Sequence, residues 1–310
     1  MKRFKNILFI ADRDDGLQAA LERAFSVAET NRARLTVMDI TPDTGLADYF
    51  QQSYGINLNA QLREQRLEAL DALVRPHTDA GHAIYTKVVT GTPFIEVVHA
   101  VQRNGHDLVM KVSQHNTGLA STLFGSNDMH LLRKCPCPVW IDRPTKTPPY
   151  QRVLAAVDPF DDESGNLQRL ILDLATSLAG REQAALEVVH AWQLPGESIL
   201  RDGRGRIPAA ELDVLLEVRE KRHRQALDTL LADYGLSSKA DNVHLDKGKP
   251  AHVMSGCANK NKADLFVLGT LGRVGIPGLI IGNTAEDVLS ETQTAVLAVK
   301  PGGFVSPLAQ

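Results

Sequence analysis

One arrangement of strands and helices is written twice along this chain, and that repetition constrains the fold more than composition does. An apolar run, Ile7-Leu-Phe-Ile-Ala11, ends on Asp12, and a second, Val153-Leu-Ala-Ala-Val157, ends on Asp158. Behind each comes an amphipathic stretch at helical spacing: Leu17, Ala20, Leu21, Ala24, Phe25 and Ala28 in the first copy, Leu167, Leu170, Ile171, Leu174 and Leu178 in the second. Strand-like segments follow at Arg34–Ile40 and Leu186–His190, then a polar, turn-rich stretch, then a long helix through Leu58–Val74 or Leu212–Leu231. Gly91-Thr-Pro93 is matched by Gly248-Lys-Pro250, Asp107-Leu-Val-Met110 by Asp264-Leu-Phe-Val267, and Val139-Trp-Ile141 by Val296-Leu-Ala-Val299. Alternating strands and helices build parallel βαβ units with right-handed crossovers and a sheet covered on both faces. Five strands per copy predict two doubly wound α/β domains, over 1–143 and 151–302, with a linker at 144–150.

The second copy contains a stretch with chemistry in it. Leu265-Phe-Val-Leu268 reads as a buried strand and runs into Gly269-Thr-Leu-Gly272; Gly275, Gly278 and Gly282 follow before a helical pattern opens at Asn283. Asn283 is expected as the N-cap, with Glu286 three residues on, close to a capping box. Glycines let backbone approach an anion, and the N–H groups and dipole at a helix start favour negative charge. A P-loop is ruled out because Asn283-Thr284 follows Gly282 where Lys-Ser/Thr is needed. A Rossmann fingerprint belongs after a first strand, and this stretch lies too near the C-terminus. A glycine-rich connection serving chain geometry alone is the alternative reading.

Gly269, two residues, Gly272, nine residues, Gly282 resembles the G-x2-G-x9-G-(S/T) nucleotide motif of the universal stress protein family, with Asn283 where the family has Ser or Thr and Thr284 next. The repeat extends the resemblance over essentially the whole chain, which is similar to the tandem, two-domain members, most of all the bacterial E type. The resemblance implies two flavodoxin-like domains, each with a doubly wound parallel five-stranded sheet, packed as an internal pseudo-dimer. It implies ATP or ADP in the second domain, with Asp158 at the adenosine and Ala191 and Leu268 beside the base. It places Gly269, Gly272, Gly282, Asn283 and Thr284 around ribose and phosphates. Arg273 is a candidate phosphate partner or a solvated loop arginine. Asp158 taken alone reads equally as a turn cap, and Asp161 and Asp162 either hold Mg²⁺ beside the phosphates or are solvated loop acids. The role implied is regulatory or protective in stress, with slow hydrolysis at most, since no general base is visible.

In the first copy Asp12 corresponds to Asp158 and Gly125-Ser126 to Gly282-Asn283, but Val112 and His115 stand where the second copy has Gly269 and Gly272. Side chains there would hold a triphosphate off the backbone. This half is therefore read as degenerate for ATP: a structural partner, or the site of another, apolar small ligand. The bulky run Leu119–Phe124 and the departure at Asn283 also motivate a rival reading of the whole chain. It is a binding module for an apolar or lipid-like molecule with vestigial nucleotide sites.

Composition supplies the exclusions. A net charge of -3 gives no basic field for nucleic acid. Ile7–Ala11 is too short for a signal-peptide core or a membrane span. Three cysteines, an odd number, fit a reducing cytoplasm better than a disulfide framework. Cys135-Pro-Cys137-Pro138 beside His130 is weak metal support and reads as buried, inert thiols. His99, His106, His115, His223, His244 and His252 show no metal-ligand spacing, and no metal site is expected from them. Val139–Ile141 and Val296–Val299 are β-branched-rich edges expected to pair with each other, across a linker stiffened by Pro144, Pro148 and Pro149. The chain is then a monomer built as a pseudo-dimer, or a dimer of these.

Overall fold

A computed structural model of the chain describes residues 4–12, 16–43, 45, 47–113, 124–143, 149–161, 166–270, 281–292 and 294–308. The first half runs β1 (Asn6–Ile10), α1 (Leu17–Asn31), β2 (Arg34–Thr41), α2 (Ala47–Tyr54), α3 (Leu58–Asp79), β3 (Ile84–Thr90), α4 (Pro93–Asn104), β4 (Leu108–Val112), α5 (Ser126–Lys134) and β5 (Val139–Asp142). The second runs β6 (Arg152–Ala156), α6 (Leu167–Glu182), β7 (Ala185–Trp192), α7 (Glu197–Asp202), α8 (Ala209–Leu231), β8 (Val243–Lys247), α9 (Pro250–Lys260), β9 (Leu265–Gly269), α10 (Asn283–Glu291) and β10 (Ala295–Val299). Each half is a parallel sheet in the doubly wound order, and the two are joined into one ten-stranded sheet, β3-β2-β1-β4-β5-β10-β9-β6-β7-β8.

The join is antiparallel: Ile141 pairs with Val296, Trp140 with Leu297 and Val139 with Ala298. The two exposed edges expected from sequence thus satisfy one another's backbone groups within one chain. Alternate residues of the strands feed two apolar layers, and each layer runs through the junction without a break. Ile7, Phe9, Trp140, Leu297, Val267 and Val153 lie under α1 and α6 on one face, and Leu8, Ile10, Ile141, Val296 and Phe266 lie under α5, α9 and α10 on the other.

Buried charge clamps the same seam. On one face Arg23 of α1 holds Asp142 of β5 at 2.9 Å, and its guanidinium stacks 3.6 Å from the Tyr150 ring. The Tyr150 hydroxyl donates to Asp142 at 2.8 Å, and its N–H donates to Glu182 of α6 at 3.1 Å. On the other face two cations cross in opposite senses. Arg143, after β5, donates to the Thr292 carbonyl at 3.0 Å, and Lys300, after β10, donates to the Leu132 carbonyl at 2.6 Å and the Thr270 hydroxyl at 2.8 Å. Arg133 pairs with Glu286 across the same line.

Lys300 makes a testable pH signature. Burial pushes its ammonium down from 10.5 to about 8, against the opposing pull of Cys135 and Cys137. Below pH 8 the lysine is charged in folded and unfolded chains alike, and folding bears its full desolvation cost. Between about 8 and 10.5 the unfolded chain keeps a proton that the folded one has shed, so stability rises with pH. The slope is at most about 1.4 kcal/mol per pH unit. In urea unfolding, the free-energy difference between the wild type and Lys300→Met is expected to change in the wild type's favour across that window. A difference flat in pH would contradict this.

Two local expectations are corrected and a third is met. Both turn-rich stretches contain a short helix. In α2 Tyr49, Phe50 and Tyr54 form an aromatic cluster with ring centroids 5.7–6.1 Å apart. In α7 Glu197 pairs with Arg201 one turn on and with Lys247 of β8. The helix α10 takes Gly282, not Asn283, as its cap, so there is no side chain to make a capping bond, and Glu286 pairs with Arg133 instead. Cys135 and Cys137 are buried free thiols with sulfurs 3.6 Å apart, as expected from their entry into the last strand of the first half.

Candidate functional site

Open parallel sheets bind ligands beyond the carboxyl ends of their strands. The second half has a cleft there, roughly 650 Å³, over the ends of β6, β7 and β9 and against the start of α10. It brings together seven of the nine nucleotide candidates: Asp158, Ala191, Leu268, Gly269, Gly282, Asn283 and Thr284. Gly272 and Arg273 lie outside the described residues, as do Asp162 and, in the first half, His115 and 119–123 of the bulky run. The ends of the glycine-rich loop are pinned: the Gly282 N–H donates to the Thr270 carbonyl at 2.8 Å, and the Thr270 N–H donates to Val299 at 3.1 Å.

Individual residues serve packing as well as the cleft. A Cβ on Gly269 would meet Leu167 Cδ2 at 2.9 Å, so a larger residue here would make the Leu167 side chain of α6 shift, apart from any anion. Asp158 does cap a turn, its carboxylate accepting the Phe160 N–H at 3.2 Å, while its own N–H donates to Gln168 at 2.8 Å. Asp161 is buried, not a solvated loop acid, and accepts from the Gln168 amide at 3.0 Å. Gln168 thus braces the turn that presents Asp158.

The wall of the cleft holds a histidine pair that sequence spacing did not suggest. His190 Nδ1 lies 3.0 Å from the Val157 carbonyl, which can only accept, so that nitrogen carries a proton. His190 Nε2 lies 2.8 Å from His223 Nδ1, so in the neutral pair His223 donates to it. The two rings stack at 5.1 Å, with Trp192 at 5.9 Å and the Phe160 edge at 4.6 Å from His223. His190, Trp192 and His223, all largely buried, line the same cleft as Asp158.

At the matching place in the first half, the described residues include a group of buried charges. Lys111 stands where the second half has Leu268, and Asp128 where it has Ala285. The Lys111 ammonium, 1% exposed, donates to Asp128 at 2.7 Å and to the Val112 carbonyl at 2.7 Å, and lies 3.3 Å from Asp12. Asp128 also accepts the Gly125 N–H at 3.3 Å, across the start of α5. Burial pushes the Asp12 carboxyl up, with Asp128 adding to the rise and Lys111 opposing it. Val112 is buried strand, and Ser126 opens α5. Among the described residues, the ion cluster at Lys111 therefore stands beside the buried Val112 at this place.

The profile of the universal stress protein family matches residues 3–143 and again 149–300. The chain belongs to that family. This universal stress protein is 27% identical to universal stress protein E of Photorhabdus laumondii over 99% of its own length and 98% of the relative's. It is likewise 27% identical to universal stress protein E of Escherichia coli K12, with the same coverage. Among solved structures it superposes on a functionally unknown protein from Pseudomonas aeruginosa PAO1 with a TM-score of 0.75, 25% identity, and coverage of 97% and 94%. A universal stress protein from Archaeoglobus fulgidus shares the fold at a TM-score of 0.64 and 18% identity, with coverage of 96% and 98%. The tandem repeat and the fold read from sequence are those of the E-type members. Among the described residues, no helix of this universal stress protein is long and apolar enough to cross a membrane.

Proposed function

We propose that this protein binds an adenine nucleotide, ATP or ADP, in the cleft of its second half, and that binding serves regulation or protection, not metabolic turnover. The observation that carries the reading is the asymmetry between halves: the same place is an open cleft in one and a buried ion cluster in the other. Asp158 offers a carboxylate to ribose hydroxyls. His190, His223 and Trp192, which line the cleft, offer aromatic contact to a purine. The start of α10 is capped by glycine with no side-chain acceptor, leaving the first-turn N–H groups and the Thr284 hydroxyl for phosphate oxygens. Asn283 in place of Ser or Thr keeps a hydrogen-bond donor at the same point. Mg²⁺, where it accompanies the nucleotide, is not expected on Asp161, which is committed to Gln168. Slow hydrolysis at most is expected, because among the described residues of the cleft no carboxylate or histidine is set up as a base for water.

Native mass spectrometry of the freshly purified chain tests the reading. The expected adduct is ADP or ATP, displaced by added nucleotide and absent from Asp158→Ala. An apolar or lipid-like adduct that added ATP does not displace would favour the rival binding module instead.

A further inference from the structure

Away from the cleft, at the opposite end of β7, a different set of side chains converges. Glu187 of β7, His244 of the edge strand β8 and Cys257 of α9 bring one ligand atom each within 4.8 Å of one another. Their placement follows from the register. His244 pairs with Val189 and lies on the same sheet face as Glu187, the face that α9 covers. His244 Nε2 is 3.0 Å from a Glu187 carboxylate oxygen. Asn261, at the end of α9, lies 3.1 Å from the same nitrogen and 3.3 Å from the Cys257 sulfur.

Glu187, His244 and Cys257 each turn one donor atom toward the others. A cation between them takes a lone pair of the imidazole and the charge of the carboxylate together. Arg152 lies 3.9 Å from the other oxygen of Glu187, leaving the one nearest His244 for the ion. Thiolate, imidazole and carboxylate form the mixed donor set of zinc, with bonds of about 2.0–2.3 Å. One thiolate and one carboxylate neutralise a divalent ion.

We propose that Glu187, His244 and Cys257 form a zinc site, with a water in the fourth position. On binding, the thiol gives its proton to solvent and sulfur joins the metal as thiolate. The ion ties the edge strand β8 to α9 and β7, whose far ends carry the cleft residues Pro250 and Ala191. The site stands independently of any nucleotide.

Cobalt(II) serves as the probe, added to chelator-stripped, reduced protein. The expected spectrum is that of a tetrahedral ion with a thiolate charge-transfer band, saturating at one equivalent per chain and removed by zinc. The band should vanish in Cys257→Ser and persist in the Cys135→Ser/Cys137→Ser double variant. His244→Gln, a change at a half-exposed strand position, should weaken binding at least about tenfold and abolish the zinc-induced rise in melting temperature seen in the wild type. Should Cys257→Ser fail to fold, His244→Gln decides. A wild type that gives no tetrahedral spectrum overturns the proposal, as does a band that survives Cys257→Ser or His244→Gln unchanged.

Discussion

Replacing Leu268 by lysine and Ala285 by aspartate together is expected to abolish nucleotide binding while leaving the fold intact. The two changes copy Lys111 and Asp128 into the equivalent positions, with Asp158 already present where the first half has Asp12. In the first half that trio forms a buried cluster with Lys111 1% exposed and donor–acceptor distances of 2.7 and 3.3 Å. In the second half the lysine stem would fill the base end of the cleft, and the ammonium would draw Asp158 inward, away from ribose. The aspartate would stand in the first turn of α10, where it repels phosphate and competes for the helix N–H groups. Leu268→Lys alone is a weaker test, since an unpaired ammonium can itself attract phosphate. The double variant is expected to lower affinity by at least about a hundredfold, roughly 2.7 kcal/mol, in a calorimetric titration with ATP. Retained affinity would mean that the nucleotide, if bound, lies elsewhere.

The largest stability effect is expected at the original cluster. Asp128→Ala leaves the Lys111 ammonium buried with the partly exposed Asp12 at 3.3 Å and the Val112 carbonyl at 2.7 Å. Breaking a buried pair from one side typically costs about 3–5 kcal/mol, because a charge is left short of compensation in a poorly solvated place. Replacing both partners by apolar groups removes the desolvation cost along with the attraction. Lys111→Leu/Asp128→Ala should therefore recover most of the loss, and it recreates the side chains of the second half. Urea unfolding of the single and double variants measures both. A double variant as unstable as the single would mean that the cluster holds the half together instead of filling a surplus site.

How much of this was legible depends on the distance over which each signal acts. The repeat, the strands and the final pairing are written locally, in apolar runs and in two short β-branched edges that need partners. The strand β8 is the exception, because Val-His-Leu-Asp-Lys at a sheet edge shows no apolar run. The cleft residues were legible because a strand end, a glycine spacing and a helix start lie close together in the chain. Other features depend on pairs that only the fold brings together. Lys111 reads as the polar end of a strand until Asp128, 17 residues away, is folded against it. His190 and His223 are 33 residues apart. Glu187 and His244 are 57 apart, which conceals any metal-ligand spacing. Glu286 looked like a capping residue, and its partner Arg133 lies 153 positions away in the other half.

The central claim is that one half of this tandem protein is open to a nucleotide and the other is filled. Isothermal titration of the intact, nucleotide-free chain with ATP tests it most directly. The account predicts saturable binding at one nucleotide per chain. No binding heat at millimolar ATP, or two equivalent sites in the wild type, would contradict it.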